Sequence, residues 1–448
     1  MQADSRTVGR TRQHHCDRKP NGLGVCFRSW AIPTSLFVED VLQHAKRDNI
    51  NLHVPWTFED EHVRQHLAYL VKSRRLVAED DVARAAEKAD FPIVTVPTPL
   101  SAAGEPDLSY VVCVVETIAK KIQPGKFIIL ESSVYPGTTE EVVRPILERG
   151  GLKAGIDFGL AYSPERIAYG NNKYGFRDIP KVVGGVTPVC TQIAASLYRG
   201  VLRARIVEVT DTRTAEATKM LENTYRYVNI ALANELAMLH ERLGIDFYEV
   251  IEAASTKPFG FQPFYPGPGV GGHCIPKDPR YLCYKARQLG ISPRLIKTSQ
   301  DINEGMINHI VGTLRNYLEQ KQRSLQGTRV AILGLAFKPD VSDTRNSPSV
   351  KLAEHLRNLG ADVVAYDPFA KSVPTETGSL TSGGSLSEVI EGVEVIVLVT
   401  PHTSFREIVL AKLKPHVSSN AVILDTRGFW SPDECKRAGF EYLALGRP

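Results

Sequence analysis

The sequence predicts an α/β protein with two doubly wound parallel sheets, on three observations. From residue 90 onward, short apolar runs alternate with longer helical segments, the pattern of a parallel sheet covered by helices. The same alternation restarts at residue 329, after a polar linker at 320–327. Between the two lies one long helical segment, residues 215–243, with apolar side chains at Leu221, Tyr225, Val228, Leu232, Leu236, Leu239 and Leu243 and a stop signal at Gly244. At 1.5 Å per residue this helix is about 43 Å long, enough for a spine between two domains.

Taken in order, residues 91–96 and 127–130 read as buried strands. Residues 110–121 and 138–147 read as the helices between and after them. In the second half, residues 329–335, 362–366, 394–399 and 421–425 read as strands. Ser347 and Pro348 form an N-cap and first-turn pair, and Gly360 closes that helix. The Ser/Thr/Gly-rich stretch 375–387 reads as loop.

Composition narrows the function classes. A chain of 448 residues with 43% hydrophobic residues is long enough for two or three globular domains. The net charge of +4 comes from residues 1–28, where six basic residues stand against two acidic ones. The remainder is neutral overall, so no nucleic-acid partner is expected. The seven cysteines (Cys16, Cys26, Cys113, Cys190, Cys274, Cys283 and Cys435) are widely spaced and odd in number, which argues against a disulfide framework and a bound metal and fits a reducing cytoplasm. The apolar runs fall short of the ~18 residues of a membrane span, so no membrane partner is expected either.

The densest chemical signal is Gly271-Gly272-His273-Cys274-Ile275-Pro276-Lys277-Asp278. A free thiol has a pKa of ~8.5, and the ammonium of Lys277 is expected to lower it toward a usable nucleophile. On spacing alone the stretch also fits a buried cysteine in a Pro/Gly loop. The preceding run, Pro263-Phe264-Tyr265-Pro266-Gly267-Pro268-Gly269-Val270, holds so many residues with special backbone angles that it implies a loop shaped around something. Lys219 and Asn223, four apart, share one face of the long helix.

The whole run PFYPGPGVGGHCIPKDP resembles the active-site loop of the UDP-glucose/GDP-mannose dehydrogenase family. Other segments agree in the family's order: Val96-Pro97-Thr98-Pro99, Glu131-Ser132-Ser133-Val134-Tyr135-Pro136-Gly137-Thr138-Thr139, Ser163-Pro164-Glu165-Arg166, Lys219 with Asn223, and Gly334-Leu335-Ala336-Phe337-Lys338-Pro339-Asp340 with Arg345. The readable resemblance runs from about Phe91 to the C-terminus.

That resemblance implies an NAD-dependent oxidation of the C6 hydroxyl of a UDP-sugar to the uronic acid, through a cysteine thiohemiacetal and thioester. It implies Cys274 as nucleophile, Glu165 as the carboxylate that handles protons and activates water, Lys219 with Asn223 as oxyanion stabilisers, and Asp278 as an orienting group. Thr98, Ser132 and Ser133 fall at strand ends, where open α/β sheets bind ligands. With Lys277 and Arg345 they match the cofactor side. Phe264, Tyr265, Gly269, Phe337, Lys338 and Arg427 match positions that hold the nucleotide sugar. Gly-Gly-His-Cys points to the branch acting on UDP-N-acetylhexosamines, with UDP-N-acetylglucosamine favoured, and the long helix implies a homodimer or higher homo-oligomer.

One expected feature is missing. A dinucleotide-binding domain opens with a strand, G-x-G-x-x-G and a helix, whereas Asn21-Gly22-Leu23-Gly24-Val25-Cys26-Phe27 lacks the third glycine and a preceding apolar strand. The expected organisation is therefore an atypical segment at 1–50 and a Rossmann-like NAD domain at 51–208 without its first βαβ unit. A central helical dimerisation region at 209–318 carries the Cys274 loop, and a Rossmann-like UDP-sugar domain follows at 325–448. The alternative is an inactive or regulatory homologue that binds the UDP-sugar but not NAD. A cysteine hydrolase or acyltransferase is disfavoured, because no histidine belongs to a recognisable cysteine-histidine signature.

Overall fold

The computed structural model describes residues 25–27, 61–79, 81–167, 174, 178–375 and 378–448. The described residues divide into two compact units, one reaching to residue 217 and the other holding 218–448 together with 102–105. Most of the atypical segment 1–50 and its glycines Gly22 and Gly24 lie outside the described residues. Within it, β1 (Val25–Phe27) pairs antiparallel with β2 (Leu76–Ala78).

The first unit is built on one sheet in the order β3 (Ile93–Val94), β4 (Phe127–Leu130), β5 (Gly159–Tyr162), β6 (Lys181–Gly185), β7 (Ile206–Glu208). Strands β3 to β5 are parallel, β6 runs antiparallel to β5, and β7 is parallel to β6. The strand expected at 91–96 is shorter. Pro92 and Pro97 lack the N–H a ladder needs, and within this sheet β3 has β4 as its neighbour. The helix expected at 138–147 is also altered: a wide π turn at Thr139–Val143 gives way to a short α-helix at Arg144–Leu147. Pro145 has no N–H to close an α turn onto residue 141, which favours the wider turn.

Apolar side chains on both faces hold the sheet between its helices. Val111, Val115, Ile128, Leu130, Leu160 and Tyr162 form one cluster, and Phe127, Ile129, Ala161, Val183 and Tyr198 another. Inside this core sits one buried ion pair. Lys181 Nζ lies 2.8 Å from Glu131 Oε1 and over the Tyr198 ring, and the Tyr198 hydroxyl donates to the same carboxylate. The Lys charge and the Tyr donor leave the carboxylate satisfied, which is the condition for tolerating it in an apolar core.

The long helix Thr212–Leu243 begins three residues before its sequence estimate. In the second unit it is followed by helices at Phe247–Ser255, Asp278–Gln288 and Arg294–Gln320. Then come β8 (Arg329–Leu333), β9 (Asp362–Tyr366), the hairpin β10 (Ser372–Thr375) and β11 (Gly378–Thr381), β12 (Val395–Leu398), β13 (Val422–Asp425) and β14 (Glu441–Ala444). Five of these make an all-parallel sheet in the order β9-β8-β12-β13-β14, the doubly wound arrangement whose switch point lies between β8 and β12. The hairpin corrects the loop expected at 375–387. Val373 and Leu380 are buried in the core, and that burial outweighs the turn-forming composition around them.

Ser347 caps the helix Pro348–Asn358, its hydroxyl accepting the Ser349 N–H, and Gly360 follows with φ 87°. After β9, the buried Asp367 accepts N–H bonds from Leu335, Ala336, Phe369 and Ala370 and pairs with His402 Nε2 at 2.9 Å. Burial works to raise its pKa, and His402 with the loop N–H groups outweighs that and holds it at about 2. Among the described residues no helix is long and apolar enough to cross a membrane.

The buried ion pair yields a stability test. Lys181→Ala leaves the Glu131 charge uncompensated and should destabilise the first unit by about 3–5 kcal/mol in urea unfolding. The double change Lys181→Met with Glu131→Gln should recover most of the loss. Equal losses for the single and the double variant would contradict a compensating pair.

Candidate active site

Cys274 stands at the end of a glycine-rich approach, immediately before the helix Asp278–Gln288. Its carbonyl accepts the N–H groups of Lys277 at 3.1 Å and Asp278 at 2.9 Å, so the thiol and the first helical turn move as one piece. Gly271 and Gly272 press this loop onto the segment after β8. A Cβ on Gly271 would meet Pro348 Cδ at 2.7 Å, and one on Gly272, which has φ 84°, would meet the Phe337 ring at 2.9 Å. The contact is fixed by Gly272 N–H donating to Arg345 O and by Asn346 Nδ2 donating to Gly272 O at 3.1 Å.

Further upstream the loop is held from the helical side. Asn234 Oδ1 accepts the Gly267 N–H at 2.8 Å, and Asn234 Nδ2 donates to Asn303 Oδ1 at 2.9 Å in a buried bridge. The remaining Asn303 amide donates to Tyr227 O. Gly269 has φ 93° and faces the Asn303 carbonyl, with no room for a side chain.

Around the thiol the structure gathers five of the expected polar residues. Asn223 Nδ2 donates to Asp278 Oδ2 at 2.5 Å, and Lys277 Nζ lies 3.7 Å from Asp278 Oδ1. Lys219, Lys277 and Asp278 are all buried, and the charges of Lys219, Lys277, Asp278 and Arg345 all act on the Cys274 thiol. Lys277 favours the thiolate as expected, but it does not bring the thiol pKa below its ordinary value. Burial raises it, Asp278 adds to the rise, and the attraction of Lys219, Lys277 and Arg345 offsets this only in part. Burial likewise lowers the Lys277 pKa and raises that of Asp278. His273, whose Nδ1 is 3.8 Å from Cys274 Sγ, is pushed down to about 4 by burial and then by Lys277 and Arg345, so its ring is neutral at pH 7. Arg345 itself grips Asp343 through Nε and Nη2, at 3.1 and 2.7 Å.

Of the expected substrate residues, Phe264, Tyr265 and Arg427 mark two places in the same unit. One is a cavity of about 520 Å³ lined by Tyr225, Arg226, Ile230, Gln262, Phe264 and Tyr265 among others. Tyr225 meets Phe264 edge-on at 5.8 Å and donates its hydroxyl to Gln262 Oε1. The other is Arg427, whose Nε donates to Val399 O at the end of β12 and whose guanidinium fills the space a Gly267 side chain would need. Lys338 lies over the Phe337 ring, its pKa lowered by burial and then by Arg226. Arg226 was not among the residues singled out from the sequence. Its signal was spacing, since it stands three residues after Asn223 and seven after Lys219 on one helical face. Tyr248, stacked on Tyr265 at 6.3 Å, carried no such signal.

The first unit holds the remaining candidates. Thr98 and Ser132 stand just beyond the carboxyl ends of the parallel strands β3 and β4. Ser132 Oγ donates to Val96 O and Thr98 Oγ1 to Ser133 O, both at 2.7 Å, which knits the two strand-end loops together. This polar edge of an open sheet fits a dinucleotide cofactor. Glu165 follows β5, with Oε1 accepting the N–H groups of Arg166 and Ile167 at 2.6 Å.

Comparison with known proteins accords with this geometry. Residues 43–202 match the family model for the UDP-glucose/GDP-mannose dehydrogenase NAD binding domain, 213–305 the family's central domain and 331–432 its UDP binding domain. The first match begins well upstream of Phe91, where readable motifs start. A UDP-N-acetyl-D-glucosamine 6-dehydrogenase of Pseudomonas aeruginosa is 36% identical over 351 residues, 78% of this chain and 82% of that protein. A UDP-N-acetyl-D-mannosamine dehydrogenase of Pyrococcus horikoshii is 37% identical over 358 residues, covering 79% and 80%. A solved structure of the UDP-D-ManNAc dehydrogenase from Pyrococcus horikoshii superposes with a TM-score of 0.79 at 34% identity, over 87% of this chain and 89% of that one. With all three family domains matched in order along one chain, the protein belongs to the UDP-glucose/GDP-mannose dehydrogenase family.

Proposed function

We propose that this protein oxidises the C6 hydroxyl of a UDP-N-acetylhexosamine, UDP-N-acetylglucosamine foremost, to the uronic acid with NAD as acceptor. The observation that carries the reading is Cys274 beside the buried Lys219, Lys277 and Asp278, with the half-buried Asn223 bonded to Asp278, behind a loop with no room for side chains. The relatives named for N-acetylhexosamine substrates support the sugar class. Thr98, Ser132 and Ser133 at the strand ends, with Lys277 and Arg345, would hold the cofactor. Phe264, Tyr265, Gly269, Phe337, Lys338 and Arg427 would hold the nucleotide sugar, two of them cations suited to a diphosphate. Arg226, in the same cavity as Phe264 and Tyr265, adds a third.

NAD+ supplies the chemistry of accepting a hydride from the sugar carbon in each of two oxidations. Everything else falls to the chain. At the aldehyde stage the Cys274 sulfur bonds to the carbonyl carbon, while the thiol proton is lost and the carbonyl oxygen gains one, giving the thiohemiacetal. Lys219 and Asn223 stabilise the charge that develops on that oxygen. After the second oxidation the sulfur carries a thioester. Glu165 takes a proton from the water that attacks it, and the C–S bond breaks to return the thiol and release the carboxylate. Burial disfavours the thiolate while Lys219 and Lys277 favour it, so the thiol depends on both lysines for its attack.

Cys274→Ser should abolish acid formation and leave UDP binding by calorimetry nearly unchanged, because serine keeps the size and loses the nucleophile. Steady-state turnover equal to wild type would overturn the nucleophile role. An NADH assay with both epimers tests the sugar: faster turnover of UDP-N-acetylmannosamine would overturn the preference for the glucosamine.

Alkylation by iodoacetamide reads the thiol directly. The rate should climb through the alkaline range above the ordinary thiol value, since burial holds the pKa up. Lys219→Met removes a charge that favours the thiolate and should move the profile further alkaline. A shift to lower pH would contradict the assigned field.

The reading includes a homodimer or higher oligomer. Leu221, Tyr225, Leu232, Leu239 and Leu243 are exposed on the long helix, a stripe whose burial against a second copy would remove substantial apolar area from water. Light scattering should give at least twice 49.5 kDa at micromolar concentration, and Leu232→Glu should shift it toward the monomer. A wild-type particle of monomer mass would refute this.

A further inference from the structure

Three donors of one turn converge on a carboxylate to which the mechanism gives no part. Glu216, in the first turns of the long helix, is fully buried. Its Oε2 accepts the Gly137 N–H at 2.5 Å, and its Oε1 accepts both the Thr139 N–H at 2.8 Å and the Thr139 hydroxyl at 2.6 Å. The turn is closed on itself by Thr138, whose N–H and hydroxyl both donate to Tyr135 O, and Gly137 has φ 98°.

What this turn carries gives the contact its meaning. Residues 135–139 continue directly from Ser132 and Ser133, the pair placed at the carboxyl edge of the sheet. At the other end of the same segment, Glu131 is pinned by Lys181 and Tyr198. The strand-end segment is thus anchored by a buried carboxylate at each end, one its own and one from the long helix.

Burial drives the Glu216 pKa up to about 7, against the bonds from Thr139 and Gly137, with Glu140 adding to the rise. Glu140 is the acidic group that faces it, and it in turn accepts the Thr212 hydroxyl at 3.2 Å and pairs with Arg213 at 3.5 Å.

We infer that Glu216 is a positioning residue for the cofactor: by fixing Gly137 and Thr139 it sets the placement of Ser132 and Ser133 at the edge of the sheet. The inference rests on reading the first unit as the NAD-binding one. Exchanging one carboxylate oxygen for an amide NH2 takes the acceptor from one of the two backbone donors and lets the turn relax, and the loss should appear in cofactor binding and leave the UDP-sugar untouched.

The test uses full-length Glu216→Gln, with NADH binding followed by fluorescence, UDP binding by calorimetry and hydrogen exchange at the Gly137 and Thr139 amides. NADH affinity should fall about tenfold, the effect of losing one hydrogen bond to a charged acceptor. UDP affinity should stay at its wild-type value, and the two amides should lose protection. In turnover, KM for NAD+ should rise with KM for the UDP-sugar unchanged. The wild-type KM for NAD+ should itself rise as pH falls through about 7, where Glu216 gains a proton, while the variant stays flat across that window. Thr139→Val removes one donor and leaves the carboxylate, so it should raise KM for NAD+ by less; if Glu216→Gln fails to fold, an unchanged KM in Thr139→Val overturns the inference. A folded Glu216→Gln enzyme with wild-type NADH affinity overturns it alone. A wild-type enzyme that binds no NADH overturns the reading of the first unit as well.

Discussion

A hydrogen atom in place of a side chain, at Gly271 and again at Gly272, sets how closely the Cys274 loop approaches the segment after β8. Pro348 and the Phe337 ring stand within 3 Å of where a Cβ would be, and neither is the far end of a flexible chain. Any larger residue would push the loop outward. Because the Cys274 carbonyl anchors the first turn of the helix Asp278–Gln288, that push would carry Lys277 and Asp278 with it. Placement of the thiol and of its charges is therefore one steric problem, solved by two glycines.

The electrostatics follow from the same tight packing. A loop pressed close excludes water, and exclusion raises the free energy of every charge behind it, the thiolate included. Burial lowers the Lys277 pKa and raises those of Asp278 and Cys274, so each member of the cluster is held nearer to neutral than it would be in water. Such groups respond strongly to a new charge in their midst, which is what an oxyanion forming beside them would be.

Much of the second sheet was legible in the sequence, because Val395–Leu398 and Val422–Asp425 are short apolar runs with clear breaks, buried along their whole length. The motif around Cys274 was legible too, since its glycines and prolines record backbone angles directly. Features set by distant partners were not. The bonds from Gly137 and Thr139 go to Glu216, more than seventy positions away. The hairpin at Ser372–Thr381 hides two core residues in a loop-like composition, and the thiol pKa depends on burial, which a neighbouring lysine in the sequence does not report. Arg226 was missed because an arginine on an exposed helix has the same local sequence whether or not it faces a cavity.

Asp367 shows how the second α/β unit departs from a dinucleotide-binding one. In a dinucleotide-binding fold the acidic residue after the second strand keeps lone pairs for a ribose. After β9 that carboxylate is already occupied by four backbone N–H groups and His402. A ribose arriving there would find an acceptor with nothing left to offer and a loop that would have to unravel to admit it. In the second unit the group that would recognise a ribose is committed to the protein's own backbone.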